Sequence, residues 1–193
     1  MMCRMNELGN FDRAAATLGS IIGALRPGQS GLPTACSEWS VRDVINHVVH
    51  GNLKTAAWAS GGPVPPDADH LGGDPPGAFA RSLREARAAL AEPGLFERMV
   101  STPIGTVPGA LLVHMRVNEF LAHGWDIADA TGQPTDFAPD LAERALADWR
   151  QRLGGAPRPP GGPFAVEKPA PEGASAADRL AAFLGRASVR RGE

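Results

Sequence analysis

The sequence predicts an all-α fold, a bundle of long helices around one hydrophobic core. Apolar residues recur at the i, i+3, i+4, i+7 spacing of amphipathic helices along most of the chain. Proline and glycine clusters separate these segments and act as helix boundaries rather than as strand turns. With 193 residues, of which 43% are hydrophobic, the chain can bury a sizeable core. We therefore expect one domain over residues 1–193, with a bundle core at about 5–132 and a C-terminal elaboration at 133–193.

The first two helices are predicted in the N-terminal third of the chain. Residues 6–25 carry one apolar stripe, and the segment RPGQSGLPT ends this helix. The stripe consists of Leu8, Phe11, Ala15, Leu18, Ile22 and Leu25. Ser40 is the predicted N-cap of the second helix, because Asp43 follows three residues later in the first turn. This helix extends for about five turns and has a largely apolar face formed by Val44, His47, Val48, Leu53, Ala57 and Trp58.

The third and fourth helices follow a loop rich in proline and glycine. The segment GAFARSLREARAALA predicts a third helix that stops at Pro93. The segment STPIGTVPG predicts an irregular entry into a long fourth helix over residues 109–130, which Thr131 and Gly132 end.

Two further helices are predicted in the C-terminal elaboration. Residues 138–154 form the fifth helix, with Pro139 near its start, where helix N-termini favour proline. A proline-rich connector follows, and its segment FAVE, residues 164–167, is predicted as a short extended piece. The closing helix over residues 175–186 has Ser175 as its expected cap.

Composition excludes several classes of function. The formal net charge of −2 and the pI near 6.2 argue against a nucleic-acid or anionic-membrane surface, since both require clustered lysine and arginine. No segment has the apolar length of a signal peptide or a membrane span, so we expect a cytoplasmic protein. Cys3 and Cys36 form neither a disulfide framework nor the paired spacing of a thiolate zinc site. Cys36 is the more interesting of the two thiols, because it lies shortly before a candidate metal ligand.

Glu119 and His123 raise the question of a metal site. They lie four residues apart within the predicted fourth helix, so they share one face, with Cβ atoms roughly 5–6 Å apart. A carboxylate and an imidazole at that spacing can share one zinc ion. The same spacing also occurs by chance on solvated helix faces, so the interpretation requires a third ligand from another part of the chain.

His47 is the natural third ligand. Metal sites in helical bundles are built from side chains that face one another across the core, and His47 lies mid-helix among valines. Its alternative role is that of a core histidine held by a hydrogen bond. A carboxylate at Glu119 beside Phe120 is costly to bury unless it is paired, and a shared metal would resolve the burial of all three groups. His50, one turn further on, could line the same cavity, whereas His114 points away from Glu119 and His70 lies in a loop.

Two motifs resemble those of a known family. CSEWSVRDVINHVVHGN, followed about seventy residues later by NEFLAHGWDIADATGQ, is similar to the DinB/YfiT-like metal-binding bundles. The branch that it resembles contains the metal-binding domain of mycothiol-dependent maleylpyruvate isomerase. The matching positions are Trp39 to Asp43, His47, Glu119, His123 and Gly124 to Asp126, and the tail DRLAAFLGR is similar to the closing segment of single-domain actinobacterial-type members.

The resemblance implies a four-helix core in up-down-down-up order and a divalent metal held by two histidines and one glutamate. Zinc is the first expectation, with nickel or another divalent ion as the alternative. The isomerase itself carries a further C-terminal domain, whereas only about sixty residues follow the Gly-Trp-Asp motif here. The resemblance also implies a low-molecular-weight thiol such as mycothiol as co-substrate.

The expected ligand set favours catalysis. Three protein ligands leave a coordination position open, which is typical of catalytic rather than structural zinc. The metal would lower the pKa of a bound water or thiol and hold the anion as a nucleophile. Together with the thiol that the resemblance implies, this chemistry predicts a metal-dependent thiol S-transferase or isomerase that acts on an electrophilic small molecule.

Other residues are candidates for supporting roles. Arg116, one turn before Glu119, is a candidate for binding a substrate carboxylate, with an exposed cation as the alternative. Asp126 could accept a hydrogen bond from a ligand histidine or from substrate, and its alternative is a helix-surface carboxylate. The predicted contacts to substrate or thiol are His50, Trp39 and Trp125, and the two tryptophans could equally be core or cavity wall.

Two rival functions stay open on the sequence alone. The same bundle and metal could form a non-catalytic binding protein that acts as a sensor or partner module. Alternatively, the metal could be structural or absent, although a set of three ligands rather than four disfavours a structural site. For the catalytic interpretation we expect a small-molecule substrate and a thiol as partners, no nucleic acid, no membrane, and a monomer or homodimer.

Overall fold

The computed structural model describes residues 2–36, 38–155, 157–158 and 165–190. Within these ranges the helices are α1 (Met2–Gly23), α2 (Val41–Ser60), α3 (Pro75–Leu90), α4 (Gly109–Thr131), α5 (Pro139–Leu153) and α6 (Ala176–Phe183), with a short 3₁₀ turn at Gln29–Gly31. Each predicted helix is present. The largest differences lie at the ends: α1 starts earlier than expected, and α6 ends at Phe183 rather than at Arg186.

Local hydrogen bonds explain where the helices begin and end. The Ser40 hydroxyl accepts from the backbone N–H of Asp43, and the Asp43 carboxylate accepts from the backbone N–H of Ser40, so the predicted N-terminus of α2 is a full capping box. Ser175 and Asp178 repeat this arrangement at α6. Gly132 ends α4 with a φ of 76°, a left-handed conformation that glycine adopts without strain. The caps of α2, α4 and α6 were therefore readable from the sequence.

The extended segment lies in a different place from the one predicted. Residues 165–167 of the FAVE segment contain no strand, and Phe164 lies outside the described residues. The strands are β1 (Met99–Thr102) and β2 (Gly105–Pro108), an antiparallel hairpin that pairs Val100 with Val107. This hairpin occupies the stretch that we expected to be irregular. The β-branched residues Val100, Thr102, Thr106 and Val107 suit strands, and Gly105, the first residue of β2 after the turn, takes a φ of 114°.

Helices α1 to α4 form the bundle. α1 packs against α3 and α4, and α2 packs against the same two helices, so the consecutive helices α1 and α2 lie on a diagonal. This is the DinB-like arrangement that the resemblance implies. Aromatic side chains fill its centre, with the Phe120 ring 5.3 Å from Phe11 and 6.2 Å from Phe79. No helix in the described ranges is both long enough and apolar enough to cross a membrane.

The C-terminal helices pack onto the bundle. α6 contacts both α4 and α5. Leu141 and Leu146 of α5 and Leu180 of α6 are almost fully buried in the same hydrophobic cluster as the bundle core. The C-terminal elaboration and the bundle thus share one continuous core within the described residues.

Gly51 of α2 lies directly against the side chain of Arg116 on α4. A Cβ at this position would overlap the guanidinium group of Arg116, which reaches across from α4. Arg116 is only 4% exposed, and its guanidinium donates to the backbone carbonyl of Val48. Burial and this hydrogen bond hold the group in place. The small residue at Gly51 therefore makes room for a buried cation beside Glu119.

We predict that Gly51→Ala lowers the thermal unfolding midpoint. Alanine favours a helix interior over glycine by about 1 kcal/mol, but the overlap with Arg116 forces a buried charge to move, and that cost exceeds the gain. Gly9→Ala in α1 is the matched control, because a Cβ at Gly9 meets no atom within 4 Å. It should leave the midpoint unchanged or raise it. Equal stabilisation by both substitutions in a calorimetric scan would contradict this account.

Candidate metal centre

The structure brings His47, Glu119 and His123 together between α2 and α4. The Oε2 atom of Glu119 lies 3.0 Å from Nε2 of His47 and 3.4 Å from Nε2 of His123. The two imidazole rings have centroids 4.9 Å apart and meet edge to face. One donor atom from each residue lies within 4.8 Å of the other two, so these residues, the metal triad below, could hold a single ion.

The geometry of the metal triad suits a first-row divalent ion. Bonds of about 2.0–2.2 Å in tetrahedral or octahedral geometry place neighbouring donor atoms about 2.9–3.6 Å apart. The separations of Glu119 from the two imidazoles lie in this range. Two imidazoles and a carboxylate also form a donor set that zinc accepts. The residues present therefore fit the ion that the resemblance implies.

The metal triad is embedded on one side and open on the other. The side chain of His123 is 7% exposed, whereas those of His47 and Glu119 are 35% and 38% exposed and line a cavity. Burial raises the pKa of Glu119, but hydrogen bonds from His123 and His47 and the charge of Arg116 outweigh this effect and hold the pKa well below its ordinary value. Burial lowers the pKa of His47 despite its contact with Glu119. Glu119 is therefore ionised at neutral pH and available as an anionic ligand.

Asp126 orients His123 from behind. Its Oδ2 atom accepts from Nδ1 of His123 at 2.9 Å, which leaves Nε2 of the same ring aimed at the centre of the metal triad. A carboxylate on the far nitrogen of a ligand histidine is the usual support in metal sites. Burial lowers the pKa of His123, but hydrogen bonds to Asp126 and Glu119 raise it to about 9 in the metal-free protein. A metal ion bound at Nε2 would replace the proton on this nitrogen, while Nδ1 would keep the proton that it donates to Asp126.

Arg186 neutralises Asp126. Its Nε atom donates to Oδ1 of Asp126 at 2.8 Å, and its Nη2 atom donates to Oδ2 at 3.1 Å. Asp126 is 0% exposed, so the alternative of a helix-surface carboxylate is wrong. Burial raises the pKa of Asp126, but the charge of Arg186 and the contact with His123 lower it below its ordinary value. Asp126 thus stays ionised although it is buried.

Arg116 lies beside the metal triad and is not exposed. The guanidinium is 4% exposed, stacks over the Phe120 ring at 4.8 Å and approaches Glu119 at 4.0 Å. Burial lowers the pKa of Arg116 to about 10, and the charge of Glu119 acts in the opposite direction. The alternative of an exposed cation is therefore wrong, and the position beside Glu119 suits an electrostatic role.

The two tryptophans that we predicted as substrate or thiol contacts lie in different surroundings. Trp39 is a cavity wall: its ring lies 4.7 Å from the His47 ring and 6.1 Å from the His123 ring. Trp125 is 5% exposed, and its indole N–H donates to Asp178 at 2.8 Å. It lines none of the described cavities beside the metal triad, so it is a core residue rather than a substrate contact.

The other histidines lie outside the metal triad. His50 faces a loop, where its Nε2 atom lies 3.1 Å from the carbonyl of Pro65 and its ring stacks against His70. It does share a polar groove with His47, so a contact to a bound thiol stays a prediction. His114 lies 3.7 Å from Glu7, away from Glu119 as expected.

Three of the cavities formed by the described residues adjoin the metal triad. The largest apolar one, the triad cavity below, has a volume of about 580 Å³ and reaches Glu119, His47 and His123. A small cavity of about 140 Å³ lies on the side of Arg116, and a polar groove of about 600 Å³ lies between Trp39 and His50. Cys36 also lines the triad cavity, and burial and the charge of Asp126 raise the pKa of its thiol.

Comparison with known families shows to which family the chain belongs. Residues 11–128 match the family model described as the mycothiol maleylpyruvate isomerase N-terminal domain. The match includes α2 and most of α4, and with them the whole metal triad. The chain belongs to this family.

The relatives of this family member fall into two kinds. Uncharacterized proteins from two strains of Mycobacterium tuberculosis are 41% identical over 185 residues, which cover 94% of this chain and 98% of each relative. Crystal structures of the mycothiol-dependent maleylpyruvate isomerase and of a histidine-to-alanine mutant of it superpose with a TM-score of 0.61. Each superposition has 18% sequence identity and covers 77% of this chain and 72% of the isomerase chain. At so low an identity, the likeness shows the fold alone.

Sequence reasoning missed the role of Arg186 in this member of the isomerase family. The residue belongs to the closing segment DRLAAFLGR, whose similarity to the family tail does not indicate what the arginine contacts. Its partner Asp126 lies 60 positions earlier in the chain. The available signal was the arginine that ends the apolar stretch AAFLG, because an arginine buried there would need an anionic partner.

We predict that Arg186→Gln destabilises the protein by about 3–5 kcal/mol, because it leaves Asp126 as a buried carboxylate without its cationic partner. Arg179→Gln is the matched control, since Arg179 pairs with the half-exposed Glu143 and should cost at most about 1 kcal/mol. Urea unfolding of both variants measures the difference. The double variant Arg186→Gln/Asp126→Asn should recover part of the loss, and a purely additive result would argue against the pairing.

Proposed function

We propose that His47, Glu119 and His123 bind one divalent metal ion, with zinc as the first expectation and nickel or another divalent ion as the alternative. The observation that carries the proposal is the convergence of the three donor atoms beside an open cavity. Membership in a family named for a mycothiol-dependent enzyme supports it further. When bound, the ion would supply a Lewis acid that lowers the pKa of a thiol at its open coordination position.

We infer that the protein is a thiol S-transferase or isomerase that uses a low-molecular-weight thiol, mycothiol in the first instance. The thiol loses its proton to solvent, and its sulfur donates an electron pair to an electrophilic carbon. In a transfer, the S–C bond forms as the leaving group departs with its bonding electrons. In an isomerisation, the sulfur adds to a conjugated double bond, the adduct rotates, and elimination regenerates both the double bond and the thiol.

The residues around the metal triad would hold it ready for this chemistry. Asp126 accepts the Nδ1 proton of His123 and so presents Nε2 to the centre, while Arg186 keeps Asp126 ionised. Arg116 lies 4.0 Å from Glu119 and offsets its charge, which suits a positioning residue rather than a direct contact to a substrate carboxylate. The apolar wall of the triad cavity would exclude water from the nucleophile.

We assign the polar groove to the body of the thiol. The groove runs between Trp39 and His50, and Asn46, Lys54 and Asp67 also line it. These side chains offer hydrogen-bond donors and acceptors to a polar co-substrate, and the Trp39 ring offers a stacking surface next to His47. Since the free thiol of Cys36 and a thiol co-substrate both suit a reducing compartment, we propose that the protein acts in the cytoplasm.

A non-catalytic role is the second candidate, in which the same metal triad binds a ligand for sensing. The open cavity beside the donors serves either function, because both require access for a small molecule. Only turnover separates the two.

We predict that His47→Ala and His123→Ala lose bound metal, whereas His50→Ala retains it. Each of the first two removes a donor atom from the metal triad, while His50 faces Pro65 instead. Metal content after zinc loading and dialysis, measured by inductively coupled plasma mass spectrometry, should be about one ion per chain in wild type and His50→Ala. Loss of metal from His50→Ala, with retention in His47→Ala, would show that the ligand set is wrong.

We predict that the zinc-loaded protein consumes mycothiol in the presence of an electrophile, and that Glu119→Gln reduces this rate by about 100-fold or more, since it removes an anionic ligand. Thiol loss is followed with a panel of halides, epoxides and unsaturated acids, with glutathione and bacillithiol as comparison thiols. Glu85→Gln on the exposed face of α3 is the matched control and should keep full activity. Binding of zinc without thiol consumption for any electrophile would favour the non-catalytic candidate.

A further inference from the structure

We propose that the electrophile of this enzyme has an apolar body of aromatic size with at most one anionic group, and that it binds in the triad cavity. The proposal rests on the proposed function, in which the metal triad activates a thiol. It names the class of the second substrate from the chemistry of the wall that faces the metal triad.

The triad cavity has the size and lining of a site for an apolar small molecule. Its volume of about 580 Å³ lies within the roughly 300–1,000 Å³ typical of ligand pockets. Apolar side chains come from the hairpin, from α4, from α5 and from the segment after α6: Ile104, Leu111, Met115, Trp149 and Leu184. The reactive end of such a molecule would meet Glu119 and the two imidazoles at the inner wall.

Two of these apolar side chains have no structural reason to be apolar. Ile104 is 70% exposed at the turn of the hairpin, and Leu111 is half-buried in the first turn of α4. Within the described residues, neither belongs to the hydrophobic core or packs against it. Exposed apolar side chains that gather at the mouth of a cavity are typical of a binding surface rather than of a fold requirement.

The cationic groups of the triad cavity do not suit a dicarboxylate. Two arginines line it, but Arg186 already donates to both carboxylate oxygens of Asp126. The other, Arg152, lies on the exposed surface of α5 and could serve one anionic group at the mouth. A second carboxylate could pair only with the ion held by the metal triad, at the position that the thiol occupies in the proposed reaction.

The small cavity next to Arg116 does not change this inference. Its volume of about 140 Å³ is below that of a typical ligand pocket, and the guanidinium of Arg116 is 4% exposed. It could not contain the body of an electrophile. The bulk of the substrate is therefore left to the triad cavity.

Binding of an unreactive probe tests the inference separately from turnover. Isothermal titration calorimetry of the zinc-loaded, full-length protein saturated with mycothiol would use 1,3-dinitrobenzene, which is neutral, aromatic and without a leaving group, and succinate as an unreactive dicarboxylate. We expect 1,3-dinitrobenzene to bind at least about tenfold more tightly than succinate. Ile104→Glu and Leu111→Glu should each weaken its binding by about tenfold or more, because each places a carboxylate at the apolar mouth.

Met99→Glu is the matched control, since Met99 is 59% exposed on the same hairpin but does not line the triad cavity. It should leave the dissociation constant of 1,3-dinitrobenzene within about twofold of wild type. Tighter binding of succinate, unchanged binding in Ile104→Glu and Leu111→Glu, or an equal loss in Met99→Glu would overturn the inference. The expected binding pattern without thiol turnover would support the cavity assignment and contradict the proposed function, so the two failures are distinguishable.

Discussion

The placement of two ionised carboxylates on the inner face of α4 is the constraint on which the rest of the structure depends. Asp126 is 0% exposed, and Glu119, two turns earlier, is 38% exposed at the wall of the triad cavity, so each needs positive charge or hydrogen-bond donors close by to stay ionised. The groups that stabilise these two negative charges come from different parts of the chain: His47 from α2, Arg116 and His123 from α4, and Arg186 from beyond α6. The charge balance of the site therefore ties these elements of the fold together.

This charge balance gives the C-terminal segment a role in the site. Besides Arg186, Ser188 and the backbone N–H of Val189 donate to Asp129, and Asp178 accepts from the indole of Trp125. Residues far apart in the chain thus hold the segment GWDIAD of α4, residues 124–129, in place. This segment directly follows His123 and so fixes the position of its imidazole. Loss of these contacts would misplace a donor atom without any change to the metal triad itself.

The cavities around the metal triad divide by chemistry. On one side the walls are apolar, and on the other a groove offers hydrogen-bond donors and acceptors, with the Trp39 ring common to both. A reaction between a polar thiol and a less polar electrophile needs both kinds of surface within reach of one centre. The fold provides them because residues of α2, α4, α5, the hairpin and the segment after α6 line these cavities together.

Local patterns in the sequence by themselves determined the helices, the caps at Ser40, Ser175 and Gly132, and the pairing of Glu119 with His123, because these depend on residues within about four positions. The position of His47 among the valines of the second helix made it the candidate third ligand, and the family motif implies the same residue. Only the tertiary structure decided that Arg116 is buried against Gly51, that Arg186 holds Asp126, that Trp125 faces Asp178 and that the strands lie at 99–108 rather than in the FAVE segment. Such contacts depend on the crossing angles and relative heights of helices far apart in sequence, which hydrophobic periodicity does not specify.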